Sequence, residues 1–259
     1  MEVIIKANAE EASREATAFL VRQCRNKPDS VLGLATGSTP VGLYCQLVAL
    51  VQNGQLDLSQ VTTFNLDEYC GLAADHPQSY AAFMRRHLFD HIRVRAWHIP
   101  DGLACDIPLH CAQYEADIAK AGGIDLQLLG LGGNGHIGFN EPGSSLQSRT
   151  RLKMLNAHTV AANARFFDLP DEVPRRVLTM GVGTILEARH CLVLATGLQK
   201  ADAVAGMVEG PLCADLPASA LQWHPHCTLI VDEEAASRLK RQEEYRWAYN
   251  NKPAWQHPG

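Results

Sequence analysis

Short apolar runs recur along the chain, and most are followed by stretches with apolar positions at helical spacing. Val3-Ile4-Ile5 opens the series as a strand. Residues 9–26, rich in Ala and Glu with Ala12, Ala16, Phe19 and Leu20 in register, follow as a helix. Val31 to Ala35 is apolar throughout, which suits a strand covered on both faces. A helix from about Val41 to Val51 comes next, with Pro40 in its first turn, where a missing N–H costs nothing. Val61 to Leu66 reads as a third strand ending in Asp67-Glu68-Tyr69, and Gln78 to His91 as a helix. Trp97 to Ile99 is a short strand, 108–120 a helix closed by Gly122-Gly123, and 124–129 a buried strand. Beyond Pro142 the pattern weakens. Val177 to Met180 and Cys191 to Ala195 read as strands with a helical turn at 183–188 between them. Thr196 to Lys200 opens a helix reaching about Val208, Cys227 to Val231 is the last strand, and 233–247 closes the chain as a charged helix. The tail 250–259, with Pro253 and Pro258, is expected to fray.

Strands alternating with helices, undivided by a linker or repeat, predict one domain over 1–249. The expected class is α/β: a three-layer, Rossmann-like α/β/α sandwich with a mostly parallel sheet. Ligands bind such sheets at the carboxyl ends of the strands. The residues with chemistry collect there: Thr36 to Thr39, Asp67, Asn134 to Glu141 and Thr196 to Lys200.

Composition narrows the partners. A formal charge of -5 and a pI near 6.1 argue against nucleic-acid binding. No apolar run approaches the ~18 residues of a membrane helix, and the N-terminus carries no export signal, so a cytoplasmic protein is expected. The eight cysteines include no C-x-x-C pair and read as reduced, mostly buried thiols. His224 and His226 beside Cys227 match no usual ligand spacing, so no metal site is expected.

Between positions 130 and 138 fall five glycines, and the loop they form holds one imidazole, His136, and ends in one carboxylate, Glu141. Glycine lets backbone approach a ligand closely, and an imidazole oriented by an acidic group is a proton-transfer device. An ordinary glycine-rich turn is the alternative. The junctions Thr36-Gly37-Ser38-Thr39 and Thr196 to Lys200 could each offer a phosphate the N–H groups of a helix start, with Lys200 supplying charge. Plain capping is the alternative there. Neither is a Walker loop, no G-x-G-x-x-G opens a first βαβ unit, and no G-x-S-x-G elbow occurs. Asp67 and Glu68 are expected to point to opposite sides, one to the cleft and one to solvent. The most economical reading is carboxylate and imidazole chemistry on a phosphorylated small molecule, without a cofactor.

At this level the residues resemble the glucosamine-6-phosphate deaminase family. The resemblance is carried by Leu34 to Pro40, Thr63-Phe64-Asn65-Leu66-Asp67-Glu68-Tyr69, and Gly135-His136-Ile137-Gly138-Phe139-Asn140-Glu141-Pro142. Ser148 to Arg151, Asn163 to Phe167 and Thr179 to Thr184 extend it in family order. It implies conversion of glucosamine 6-phosphate and water to fructose 6-phosphate and ammonia, with no metal or organic cofactor. On it, Asp67 is the enolisation base, His136 assists ring opening, Glu141 tunes that imidazole, and Asn134 stands where other members carry Asp. Arg165 and Lys200 match phosphate ligands, joined by Thr36, Gly37, Ser38 and Thr39, and about 155–178 corresponds to a mobile lid. Ser145, Arg151 and Lys153 match an effector site for N-acetylglucosamine 6-phosphate. Arg246-Trp247, however, stands where responsive relatives carry a Tyr-Phe pair, so activation is expected to be reduced or absent. A homo-oligomer is left open. The competing readings are a 6-phosphogluconolactonase-like hydrolase, whose loop lacks the Phe-Asn-Glu-Pro ending, and a non-catalytic sugar-phosphate sensor.

Overall fold

A computed structural model describes residues 1–156, 159–160 and 173–256. Its main sheet has seven strands, all paired in parallel. From one edge to the other they are β1 (Glu2–Lys6), β10 (Cys227–Asp232), β9 (Cys191–Ala195), β6 (Leu126–Gly130), β2 (Val31–Leu34), β3 (Thr62–Asn65) and β5 (Ala96–His98). Successive residues of a strand face opposite sides, and here both sides are covered. Leu129, Val193 and Leu229 pack on one face with Tyr114, Ile185 and Val204. These last come from α4 (Ile107–Lys120), α5 (Val182–Leu186) and α6 (Ala201–Glu209). Leu128, Leu194 and Ile230 pack on the other with Leu20 of α1 (Ala9–Asn26), Leu43 of α2 (Val41–Gln52) and Met84 of α3 (Tyr80–Met84). This is the three-layer architecture the alternation predicts.

Three strands lie outside that sheet. At Leu66 the chain leaves β3: its N–H still donates to Leu34 O at 3.0 Å, but its carbonyl accepts from Met180 N–H at 2.7 Å. Immediately beyond, β4 (Asp67–Tyr69) pairs antiparallel with β8 (Arg176–Thr179), and β8 pairs antiparallel with β7 (Arg151–Met154). The step from one sheet to the other is what lifts Asp67 to the end of the main sheet. The sequence pattern runs β3 straight into its acidic end and does not reveal β7, because three-residue and four-residue strands rich in charge carry little periodic signal.

Other boundaries also differ. The helix expected at 78–91 is α3 continued by a π-helical turn, Arg85–Phe89. The helix opening at 196 begins instead as a 3-10 turn, Leu198–Lys200, before α6. The closing helix is broken into α7 (Glu233–Ala236) and α8 (Gln242–Asn251). At the break Leu239 turns into the core, and the Glu209 carboxylate accepts the N–H groups of Lys240 and Arg241, capping the new helix. α8 runs through Asn250 and Asn251, so the tail starts later than expected. Glu68 is not solvated; it is 2% exposed, for a reason given below. All eight cysteines carry free thiols, but only Cys24, Cys111, Cys191 and Cys227 are buried. Among the described residues no helix is long and apolar enough to cross a membrane.

Candidate active site

At the carboxyl ends of β2, β3 and β6 opens a cleft of about 790 Å³. Thr36 to Thr39, Asp67, Asn134, His136 and Lys200 all line it, with Tyr80, Arg86 and His87 forming one wall. A second cleft, about 910 Å³, lies at the amino ends of the strands beside Arg22 and His190. It contains none of the expected site residues, so size alone is a poor guide here. His224, near that end, has both ring nitrogens engaged, by Ala188 O at 2.7 Å and by His226 N–H at 3.0 Å.

Asp67 is 5% exposed and sits against the glycine-rich loop at Gly138. A Cβ at Gly138 would stand 3.4 Å from Asp67 Oδ2 and 3.1 Å from Thr179 Oγ1, so the loop passes close to the carboxylate at a glycine with φ of 54°. Burial, with the neighbouring Glu68 charge, pushes the Asp67 carboxyl up to about 8. A carboxylate so placed holds a proton more tightly than usual, which suits a group that takes a proton from carbon and returns it.

Across the loop runs a chain of three side chains. His136 Nδ1 lies 2.6 Å from Asn134 Oδ1, and Asn134 Nδ2 donates to Glu141 Oε2 at 3.0 Å. Glu141 is a carboxylate fixed by further donors, Asn156 Nδ2 at 2.8 Å and the Thr159 hydroxyl. These bonds settle the chemistry of the imidazole. Because Glu141 claims the amide's N–H₂, Asn134 must turn its oxygen to His136, and that oxygen only accepts. Nδ1 therefore carries the proton, leaving Nε2 as the basic nitrogen of the neutral ring. Burial lowers the His136 pKa, Glu141 opposing and Lys200 adding to the effect, so the neutral base is favoured. The ring folds back over Gly132, where a Cβ would fall 2.3 Å from His136 Cε1.

The two expected phosphate junctions differ. Among the described residues the N–H groups of Gly37, Ser38 and Thr39, just before α2, have no protein acceptor. At the other junction Gly197 N–H goes to Asp232 at 3.0 Å and Leu198 N–H to Glu234 at 3.2 Å. Two carboxylates occupy that helix start, so only the first junction suits an anion. Lys200 nevertheless lines the cleft.

Arg165 and most of the lid segment lie outside the described residues; the last lid positions, Arg176 to Leu178, belong to β8. Arg151 and Lys153 share one side of β7, both partly buried, while Ser145 is exposed in the loop after Pro142. Arg151 donates to Arg149 O and Ser145 Oγ accepts from Gln147 N–H; no hydrogen bond joins Ser145 to either cation among the described residues. Asn156, Thr159 and Glu68 were not singled out as site residues from the sequence alone. Asn156 and Thr159 fall where periodicity fades, and strand alternation leaves one of the Asp67–Glu68 pair to solvent.

Known proteins fit this geometry. Residues 5–230 match the family model described as glucosamine-6-phosphate isomerases/6-phosphogluconolactonase. Glucosamine-6-phosphate deaminase of Pseudarthrobacter chlorophenolicus is 52% identical over 258 residues, covering 99% of each chain. That of Rhodopirellula baltica is 56% identical over 243 residues, 93% of this chain and 97% of its own. A solved monomeric glucosamine-6-phosphate deaminase superposes with a TM-score of 0.88 at 46% identity, covering 92% of this chain and all (100%) of that one. The 6-phosphogluconolactonase of Trypanosoma cruzi, with a TM-score of 0.72 at 22% identity over 92% of this chain and 97% of that one, shares the fold. The chain belongs to the glucosamine-6-phosphate isomerase/6-phosphogluconolactonase family.

Proposed function

We propose that this protein is a glucosamine-6-phosphate deaminase, converting glucosamine 6-phosphate and water to fructose 6-phosphate and ammonia in the cytoplasm. The observation that carries the reading is that His136 and Asn134, backed by the buried Glu141, face the same cleft as the buried Asp67. Two separate proton-moving groups in one cleft suit a reaction with two proton-shuttling stages, ring opening and enolisation. The full-length relatives named as deaminases support it.

The N–H groups of Gly37, Ser38 and Thr39 receive the phosphate, with Lys200 and Arg165 supplying positive charge. His136 Nε2 takes the proton of the anomeric hydroxyl and returns it to the ring oxygen, opening the sugar. The ionised Asp67 then removes the proton from C2 while the substrate's own ammonium gives one to the C1 oxygen, forming a neutral enolamine, and the Asp67 acid delivers its proton to C1. The C2 iminium that results adds water and, after a proton passes from the added oxygen to nitrogen, releases ammonia and leaves the ketone.

Purified protein supplied with glucosamine 6-phosphate should release ammonia and fructose 6-phosphate in equal amounts. Hydrolysis of 6-phosphogluconolactone without ammonia release would support the hydrolase reading instead. Tight sugar-phosphate binding without turnover of either compound would support a sensor.

A further inference from the structure

Glu68 follows Asp67 on β4 but points away from it into the protein, and it does not line the cleft. Its carboxylate is consumed by backbone donors. Oε1 accepts from Tyr69 N–H at 2.8 Å and Tyr80 N–H at 2.9 Å, and Oε2 accepts from Ala81 N–H at 2.9 Å. Tyr80 and Ala81 open α3, so the acid side chain of one element satisfies orphan donors at the start of another. Ser79 caps the same turn through Ala82 N–H at 3.0 Å. α3 and its π-helical turn bring Tyr80, Phe83, Arg86 and His87 to the cleft wall.

Resting on the functional reading above, we propose that Glu68 is a positioning residue for the reaction. It ties the start of α3, and thus one wall of the substrate cleft, to the strand that carries Asp67, and it sets one fixed negative charge beside that base. An ordinary cap would use a Ser, Thr, Asp or Asn adjacent to the helix, and Ser79 already fills that place. A buried glutamate reaching from the neighbouring strand adds what a local cap cannot: the distance between wall and base becomes fixed.

The charge acts in a crowded setting. Asp67 and Tyr69 flank Glu68 on its own strand and Cys70 follows; Tyr80 faces it from α3 and Asp101 from the loop after β5. Arg176 of β8 acts on the Cys70 thiol, and Tyr114 of α4 faces Asp67. Burial drives the Glu68 carboxyl pKa up, while the three N–H donors pull against it and favour the ion. The phenols are neutral, so Glu68 is the charge that opposes ionisation of Asp67.

Two substitutions separate the tether from the charge. Glu68→Gln removes the charge, and the limb of the rate profile that reports ionisation of Asp67 should move to lower pH by about one unit. Glu68→Asp keeps the charge but is one methylene too short to reach α3. It should raise KM for glucosamine 6-phosphate roughly tenfold, the loss of a hydrogen bond to a charged group, while leaving that limb in place. Should Glu68→Gln not fold, the KM of Glu68→Asp decides alone. Wild-type limb and wild-type KM in the variants, whatever their melting temperatures, would overturn the proposal. An inactive wild-type protein in the same series would instead remove the functional reading itself.

Discussion

At Asn134 a single amide decides which nitrogen of His136 does chemistry. A carboxylate there would also accept from Nδ1–H, but it would add a negative charge beside the ring and lose the donor that Asn134 offers Glu141. Opposite charge favours imidazolium, so Asn134→Asp raises the His136 pKa from its lowered position. Ring opening needs the neutral ring, but the first loss of activity on acidification belongs to Asp67, whose carboxyl titrates higher. The His136 ring titration, followed directly by NMR, should therefore move to higher pH by about one unit in Asn134→Asp. A ring titration that stays where the wild type has it would mean that residue 134 does not set the charge of the imidazole. That His136 and Asp67 would meet in one cleft was legible in the sequence, because few ionisable side chains sit among so many glycines and at strand ends. Asn156 and Thr159 were not, since hydrogen bonds to Glu141 made from 15 and 18 residues away leave no local pattern.

Elements of the main sheet could be read because each strand is buried on both faces and therefore apolar throughout, as in Cys191 to Ala195. The small antiparallel sheet could not. Asp67-Glu68-Tyr69 has no apolar run, and its pairing with Arg176–Thr179 spans more than a hundred residues of sequence. Its burial rests on backbone donors and on the switch at Leu66, neither visible in residue type. The same blindness explains Glu68, since alternation leaves one of the two carboxylates to solvent and cannot show backbone donors waiting inside the protein. The second helix-start junction misled for the opposite reason. Its sequence is as suited to an anion as the first, but Asp232 and Glu234, more than thirty residues on, already occupy it. The split of the last helix follows the same rule, since Glu209 caps Gln242–Asn251 from another element.

On the scale of the whole molecule, Arg151 and Lys153, which the family resemblance offers as part of an effector site, lie on the strand that follows the loop of Glu141; burial and Arg151 lower the Lys153 pKa, and Glu141 opposes them. Coupling between sites needs two states with different affinity, and a bound charge supplies none by itself. The C-terminal helix offers no Tyr-Phe pair: Tyr245 is bonded to Glu209 at 3.0 Å, and Trp247 is 69% exposed. N-acetylglucosamine 6-phosphate should therefore change initial rates at subsaturating substrate by less than about twofold, a coupling below the range usual for allosteric effectors. Strong activation that Lys153→Ala abolishes would show a working switch. The central claim is that Asp67 carries a proton from C2 to C1, and solvent isotope tests it most directly. Fructose 6-phosphate made in deuterium oxide by the wild-type protein should carry deuterium at C1, because a carboxylic acid exchanges its proton with solvent. Asp67→Asn should bind the sugar phosphate yet yield no labelled product. Labelled fructose 6-phosphate formed by Asp67→Asn at close to the wild-type rate would contradict the account.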